Sequence, residues 1–258
     1  IMKPVYIVSW LFALAISFVS CDDWLDKTPK DRLYPDVYFK TEDELRLFTN
    51  QFYNNLVPSA VDIYSESSDL IVKSDLMLEM SGQRIIPDEG NGWNFTALRD
   101  INFYLQYSHN CTEVNARNRY DGVARFFRAY FYFEKVKRYG DIPWYDKALD
   151  SDDPELYKAR DSREFVMQKM LEDLDFAIAN LPKTKNAYVL TRWTALALKS
   201  RVCLFEGTFR KYHGLEDCEK YLNACVSASE TFMNESGYTL YKSGSTPYRD
   251  LFASINLQ

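Results

Sequence analysis

The chain has 258 residues, of which 47% are hydrophobic and 26% charged, which excludes intrinsic disorder and collagen-like repeats and allows one large domain or two small ones. The net charge is −6, and no run of basic residues is present to neutralise phosphates, which argues against nucleic acid as a partner. Aromatic residues reach 16%, so we expect some of them on a surface that binds a flat ligand.

The first segment has the layout of a secretion signal. Residues 4–20 form an uncharged, largely apolar run, and Cys21 follows directly after the small Ser20. This pattern predicts a signal peptide over residues 1–20, with Cys21 as the acylated first residue of a mature lipoprotein. Several acyl chains would then hold the protein on a membrane surface. A plain secreted chain, or an uncleaved anchor, is the alternative.

Helices are predicted over most of the mature chain. The capping-box pattern of Thr41 and Glu44 begins the first, and Gly140 with the nearby Pro143 ends the third. Apolar residues at helical spacing predict helices at about 41–56, 94–109, 120–139, 161–181, 191–204 and 216–233.

The connections complete the predicted architecture. Residues 59–92 are rich in Ser, Gly and Asp and are predicted to be a long loop, with a possible short β-hairpin around Leu70 and Ile85. Paired helices at these intervals are typical of tetratricopeptide-like stacks. We therefore predict a mainly α fold of tetratricopeptide-like helix pairs with long loops.

The third predicted helix is strongly amphipathic. When it is projected at the helical angle, one face is polar and the opposite face is aromatic. Glu134 and Lys137 fall on the aromatic side, and we interpret them as a pair that bridges to a neighbouring helix rather than as catalytic groups. The polar face consists of Asp121, Arg125, Arg128, Tyr132 and Lys135, and the opposite face of Val123, Phe126, Phe127, Tyr130 and Phe133.

Besides Cys21, the mature chain contains Cys111, Cys203, Cys218 and Cys225. Cys218 and Cys225 lie on one predicted helix, too far apart along its axis to bridge each other, so two full disulfide pairings stay open. Free thiols buried in the core are the favoured interpretation, because a chain of this length needs no disulfides. The last predicted helix should point Cys218, Leu222, Cys225, Ser229 and Phe232 inward.

No catalytic constellation is visible. The chain has two histidines, His109 and His213, with no second ligand pair at zinc spacing, and it lacks a nucleophile elbow and a phosphate-binding glycine loop. Acid pairs such as Asp173 with Asp175 are interpreted as solvated helix charges. We therefore predict no enzyme activity, no metal and no cofactor.

One loop combines the groups that recognise sugars. Asn91, Trp93 and Asn94 stand together at a predicted loop-to-helix junction, where an aromatic face could stack on a sugar and the amides could bond its hydroxyls. In the competing interpretation, Trp93 anchors the helix in the core and Asn94 only caps it.

Four motifs follow one another in a specific order along the chain. They are Cys-Asp-Asp-Trp-Leu-Asp-Lys-Thr-Pro at 21–29, Tyr-Phe-Lys-Thr at 38–41, Arg-Phe-Phe-Arg-Ala-Tyr-Phe-Tyr-Phe at 125–133 and Arg-Tyr-Gly-Asp-Ile-Pro at 138–143. This ordered set resembles the SusD/RagB family of outer-membrane nutrient-binding lipoproteins. The resemblance covers only the N-terminal half of such proteins, so residues 21–258 are interpreted as an incomplete SusD-like α-helical domain that follows the signal peptide.

The resemblance implies a function. Such a protein is lipid-anchored at the outer membrane and faces outward. It binds an oligosaccharide, or in fewer cases a peptide, and delivers this ligand to a SusC-like TonB-dependent transporter. A helical-repeat scaffold that binds only protein is the main alternative. A surface glycoside hydrolase is a third possibility, and it would require paired carboxylates across a cleft.

Overall fold

The computed structural model describes residues 38–58, 81–83, 85 and 92–253. Within these ranges the chain forms seven α helices and no β strand, so the predicted mainly α fold is confirmed. The hairpin predicted around Leu70 lies largely outside the described residues. In chain order the helices are α1 (Glu42–Leu56), α2 (Thr96–Tyr107), α3 (Val114–Tyr139), α4 (Arg163–Asn180), α5 (Arg192–Tyr212), α6 (Cys218–Glu235) and α7 (Pro247–Ala253), with 3₁₀ turns at Ser108–Asn110 and Pro154–Tyr157.

Side-chain caps begin three of the helices where they were predicted. At α1 the backbone N–H of Glu44 donates to Thr41 Oγ1 over 3.3 Å, and the Glu44 carboxylate accepts from the Thr41 N–H at 3.1 Å. Thr191 caps α5 in the same reciprocal way, and the Ser162 hydroxyl accepts a bond from the first turn of α4. These bonds satisfy backbone donors that have no partner within the helix.

Two helices are longer than predicted. α3 begins at Val114 instead of residue 120, and α5 continues to Tyr212 instead of ending near residue 204. The first turn of α3 has neither a side-chain cap nor apolar periodicity, so no local signal marks its start. The added turns of α5 are held by packing, because the Phe205 ring meets the Phe133 ring of α3 edge-on at 5.5 Å.

Consecutive helices pack as antiparallel pairs. Gly122 near the start of α3 approaches Leu181 just after α4, and Gly207 late in α5 approaches Leu222 early in α6. α4 joins the two pairs through an ion pair between Arg163 and the fully buried Glu206, 2.7 Å apart. The arrangement is the predicted tetratricopeptide-like stack.

Aromatic rings fill the space between α1, α2 and α3. The fully buried Phe39 ring meets Phe48 at 5.0 Å and Tyr104 at 5.5 Å, both edge-to-face. Phe52 continues the cluster to Phe127 of α3 at 6.1 Å. Much of the aromatic excess is therefore core packing, because such rings bury large areas in specific geometries.

The polar face of α3 is buried at its centre, contrary to the simple two-sided prediction. Arg128 is 7% exposed and Tyr132 is fully buried. The Arg128 guanidinium forms a bidentate pair with Asp173 of α4, at 2.6 and 2.8 Å. The interpretation of Asp173 as a solvated charge was therefore wrong, since a partner 45 residues away is not visible in the local pattern.

Two smaller predictions also need correction. Glu134 and Lys137 pair with each other at 2.6 Å on the surface of α3 rather than bridging to another helix. α6 is rotated slightly from its predicted face, because Tyr221 and Ala228 are its buried residues. The five residues predicted to point inward are half-buried: Cys218, Leu222, Cys225, Ser229 and Phe232.

The cysteines of the described part are free. Cys111 and Cys203 are buried, as the favoured interpretation of the sequence has it, whereas Cys218 and Cys225 are half-buried. Burial raises the pKa of the Cys203 thiol to about 12, so this group stays protonated and behaves as a small apolar side chain. None of the helices in the described ranges is long and apolar enough to cross a membrane.

Candidate functional site

An open cavity of about 530 Å³ lies between the start of α2 and the segment that connects α3 to α4. Its size falls in the range of small-molecule binding sites. Aromatic, apolar and basic side chains surround it, and the lining residues are Trp93, Phe95, Thr96, Leu98, Arg99, Asn102, Pro143, Tyr145, Lys147, Leu149, Leu156, Lys158, Ala159 and Arg160.

Trp93, which was predicted to be a binding residue, lines this cavity. Its side chain is 40% exposed, although its ring packs edge-to-face against Tyr139 at 4.9 Å and Phe95 at 5.3 Å. The ring is thus anchored on one part of its surface and open on another. Both interpretations made from the sequence describe part of this geometry.

Asn94 does not line the cavity beside Trp93. Asn94 is exposed, and its side-chain oxygen accepts a hydrogen bond from the Thr96 backbone N–H at 2.8 Å, which satisfies the first backbone donor of α2. Asn91 lies outside the described residues, as does Cys21. A ligand-binding role for Asn91 and Asn94 stays a prediction.

The loop that carries Trp93 is tied to α3. The Lys135 ammonium donates to the Gly92 carbonyl and lies over the Phe131 ring at 4.9 Å. Burial, and then the nearby Arg138 charge, lower the pKa of Lys135. Gly92 has a φ of +85°, and a Cβ at this position would come within 3.3 Å of the Tyr139 hydroxyl. Glycine is favoured here because it has no Cβ and adopts a positive φ readily. The Lys135 bond to Gly92 holds the backbone next to Trp93 in place.

Asn102 supports the opposite wall of the cavity. Its amide nitrogen donates to the backbone carbonyls of Tyr145 at 2.8 Å and Lys147 at 3.3 Å. Its side-chain oxygen accepts a bond from Arg128 at 3.3 Å, and Arg128 is fixed by Asp173. The Asn102 amide therefore connects the buried ion pair of Arg128 and Asp173 to the backbone of the cavity wall.

Several lining residues were missed by sequence reasoning. Four of them are basic, namely Arg99, Lys147, Lys158 and Arg160, and none of the lining residues is acidic. A hydrogen bond to Glu155 raises the pKa of Lys147, and burial raises the pKa of Tyr145. The only sequence signal was the alternation of Lys158 and Arg160 in an extended segment, which places both on one side of the backbone.

The cavity has the chemistry of a binding site. It offers aromatic surface and hydrogen-bond donors, but its lining contains no carboxylate pair and no nucleophile beside a base. Within the residues that the structure describes, no group of three or more histidine, cysteine or acidic side chains could hold a metal ion.

Comparison with known proteins identifies the family. Residues 53–192, which include every residue of the cavity wall, match a SusD-like family model described as starch-binding and associating with the outer membrane. The chain belongs to the SusD-like family. The family resemblance predicted from the sequence motifs is thereby confirmed.

Individual relatives agree with this assignment. SusD-like protein P38 of Formosa agariphila is 25% identical over 226 residues, which are 79% of this chain and 43% of the relative. A SusD-like protein P2 of the same organism is 27% identical over 218 residues, which are 77% of this chain and 43% of the relative. The chain therefore spans less than half the length of these curated relatives.

A solved structure shares the fold. A SusD-like protein from Bacteroides fragilis NCTC 9343 superimposes with a TM-score of 0.62 at 21% identity, over 87% of this chain and 44% of that one. The tetratricopeptide-like stack is thus the fold of the corresponding half of a longer family member.

Proposed function

We propose that the chain is the N-terminal part of a surface lipoprotein that binds an oligosaccharide and delivers it to a SusC-like TonB-dependent transporter in the outer membrane. Membership of a family described as starch-binding supports the ligand class. The observation that carries the proposal is the half-exposed Trp93 on the wall of a preformed cavity.

The geometry around Trp93 suits a saccharide. Apolar faces of sugar rings pack against aromatic rings, and hydroxyl groups need nearby donors and acceptors. Phe95 and Tyr145 extend the aromatic wall, and the basic side chains supply donors. Since the ring of Trp93 is already held by Tyr139, little side-chain entropy is lost when a ligand binds.

The remaining parts of the proposal rest on the sequence. Residues 1–20 are the signal peptide, Cys21 carries the lipid anchor, and residues 21–258 form the SusD-like α-helical domain. The protein binds its ligand without converting it, in keeping with a sequence that shows neither a nucleophile elbow nor paired zinc ligands. The anchor and the transporter place the protein on the outer face of the outer membrane.

The test is oligosaccharide binding by the full chain and by Trp93→Ala. We expect an oligosaccharide ligand in a screen by calorimetry, and we expect Trp93→Ala to weaken its affinity about tenfold or more, as loss of an aromatic anchor does. Tyr188→Ala is the control, since that side chain is 90% exposed and lies outside the cavity.

Three outcomes would contradict the proposal in different ways. Unchanged affinity in Trp93→Ala would remove the cavity from the binding site. Absence of any saccharide ligand would favour the scaffold that binds only protein. Product formation during prolonged incubation would instead indicate a glycoside hydrolase.

A further inference from the structure

The charge of the cavity differs from the charge of the whole chain. The net charge of the protein is −6, yet the residues that line the cavity include four cations and no anion. The four cations differ in how many of their N–H donors are already used by protein partners. Those with unused donors can bind a ligand.

Two of the cations are committed to the protein. The Lys158 ammonium donates to the Trp144 carbonyl at 2.6 Å and pairs with Asp161 at 3.0 Å. Lys147 pairs with Glu155 at 2.9 Å. Their charges are largely compensated, and we assign them a structural role in the wall.

The two arginines keep donors available. Arg99 uses its Nε to donate to the Leu149 carbonyl at 3.2 Å, and one of its terminal nitrogens is 4.0 Å from an exposed Asp150. Arg160 is exposed, and among the described residues no carboxylate pairs with its guanidinium. Its observed contact is with the Trp93 ring, whose centroid is 5.0 Å away.

The backbone on either side of Arg160 is fixed. The Asp161 carbonyl accepts from the Ile142 N–H at 3.1 Å, and the Asp161 carboxylate accepts from the Trp144 N–H at 2.7 Å. Lys158 holds the other side through the Trp144 carbonyl. The Arg160 guanidinium therefore lies next to Trp93 on an extended segment whose two ends are held by hydrogen bonds.

We propose that the saccharide taken by this cavity is acidic, with a ring carboxylate that pairs with Arg160 while the ring lies against the exposed part of Trp93. The inference rests on the proposed function and specifies its substrate class. A guanidinium presents a planar fork of N–H donors that matches a carboxylate bidentately. In a partly enclosed cavity such a pair is screened less than on open surface.

The experiment compares acidic saccharides with neutral partners of the same shape. Oligouronides of several linkages are titrated into the full chain by calorimetry, each beside the carboxyl-reduced oligosaccharide made from it. The variants are Arg160→Gln, Arg160→Lys and the control Lys211→Gln, which removes one exposed positive charge at the end of α5. Circular dichroism confirms that each variant is folded.

We expect at least one oligouronide to bind about tenfold or more tightly than its carboxyl-reduced partner, with an affinity that falls as salt is added. Arg160→Gln should remove most of this preference. Arg160→Lys should restore only part of it, because lysine cannot form the bidentate pair. Lys211→Gln should bind as the wild type does.

The outcomes separate this inference from the function on which it rests. Equal or tighter binding of the neutral partners, or an unchanged preference in Arg160→Gln, would overturn the acidic substrate and leave saccharide binding intact. If no oligouronide and no neutral partner binds while the wider oligosaccharide screen finds a ligand that needs Trp93, the acidic substrate is wrong and the proposed function stands. If that screen finds no ligand either, both are wrong.

Discussion

The pair of Arg128 and Asp173 shows how single residues can matter far from the ligand. Asp173 is 2% exposed, and its two oxygens accept two bonds from the Arg128 guanidinium. A further Arg128 nitrogen reaches Asn102 on the cavity wall. This pair cannot be found from sequence, because its members look like ordinary surface charges of two separate helices. Their charges are compensated only when the helices pack.

Asp173→Asn should be strongly destabilising. Removal of the negative charge leaves the Arg128 guanidinium buried without its counter-ion, which costs about 3–5 kcal/mol of unfolding free energy. The matched control is Asp175→Asn on the same helix. Its carboxylate is 58% exposed in the pair with Lys199, so the pair is worth less than about 1 kcal/mol. Urea denaturation of both variants measures the difference. Similar stability of the two would show that the buried pair is not required.

The candidate site was partly predictable at the same scale. Trp93 was identified from its combination with neighbouring asparagines, and the structure places it on the cavity wall. The Asn94 side-chain oxygen accepts a hydrogen bond from the backbone at the start of α2, and its ligand-binding role stays a prediction. The local sequence supports both roles equally, since an asparagine before a helix is a common cap and also a common sugar ligand.

At the scale of helices, starts were predicted better than lengths. The caps at Thr41, Ser162 and Thr191 are local signals, because each side chain bonds a backbone group within the next few residues. The extra turns of α5 depend on tertiary contacts such as the ring pair of Phe133 and Phe205, and Arg119 in the added part of α3 pairs with Glu42 of α1 at 3.4 Å. Packing of this kind lengthens a helix beyond what its own sequence favours.

Two glycines test how closely the helices pack. A Cβ added at Gly207 would lie 2.7 Å from the Leu222 side chain and 3.1 Å from its backbone nitrogen, so α5 and α6 would have to separate. Gly207→Ala should therefore destabilise the protein by about 1–3 kcal/mol, as overpacking does.

Gly122→Ala is the control for that substitution. A Cβ at Gly122 of α3 would meet Leu181 at 3.4 Å, an ordinary contact distance. Because alanine favours a helix over glycine by about 0.5–1 kcal/mol, this variant should be as stable as the wild type or more so. Thermal unfolding of both variants and the wild type measures the difference in stability. A stabilised Gly207→Ala would show that α5 and α6 do not approach so closely.

At the scale of the whole molecule, the order of motifs was more informative than any single motif. It indicated the family and the mainly α fold, which the match over residues 53–192 and the superposition with a Bacteroides structure now support. The cavity could not be predicted, because its wall combines residues near position 95 with a segment some fifty residues later. Only the packing of α2 against the α3–α4 connection brings them together.

The proposed anchor also belongs to the whole molecule, since it determines where the binding domain works. Residues 4–20 and Cys21 lie outside the described residues, and the test is therefore biochemical. Expressed in a host that processes lipoproteins, the full chain should incorporate labelled palmitate and sediment with membranes, because several acyl chains give stable anchoring.

Cys21→Ser should abolish both properties of the anchored protein. Without the thiol no acyl chain can be attached, so we expect complete loss of the label and release of the protein into the soluble fraction. Cys218→Ser, which changes a half-buried cysteine of α6, should keep the label and the membrane fraction. If Cys21→Ser loses the label but still sediments with membranes, residues 4–20 act as an uncleaved anchor. The binding domain would then reach its ligand from a membrane-inserted segment instead of a lipid.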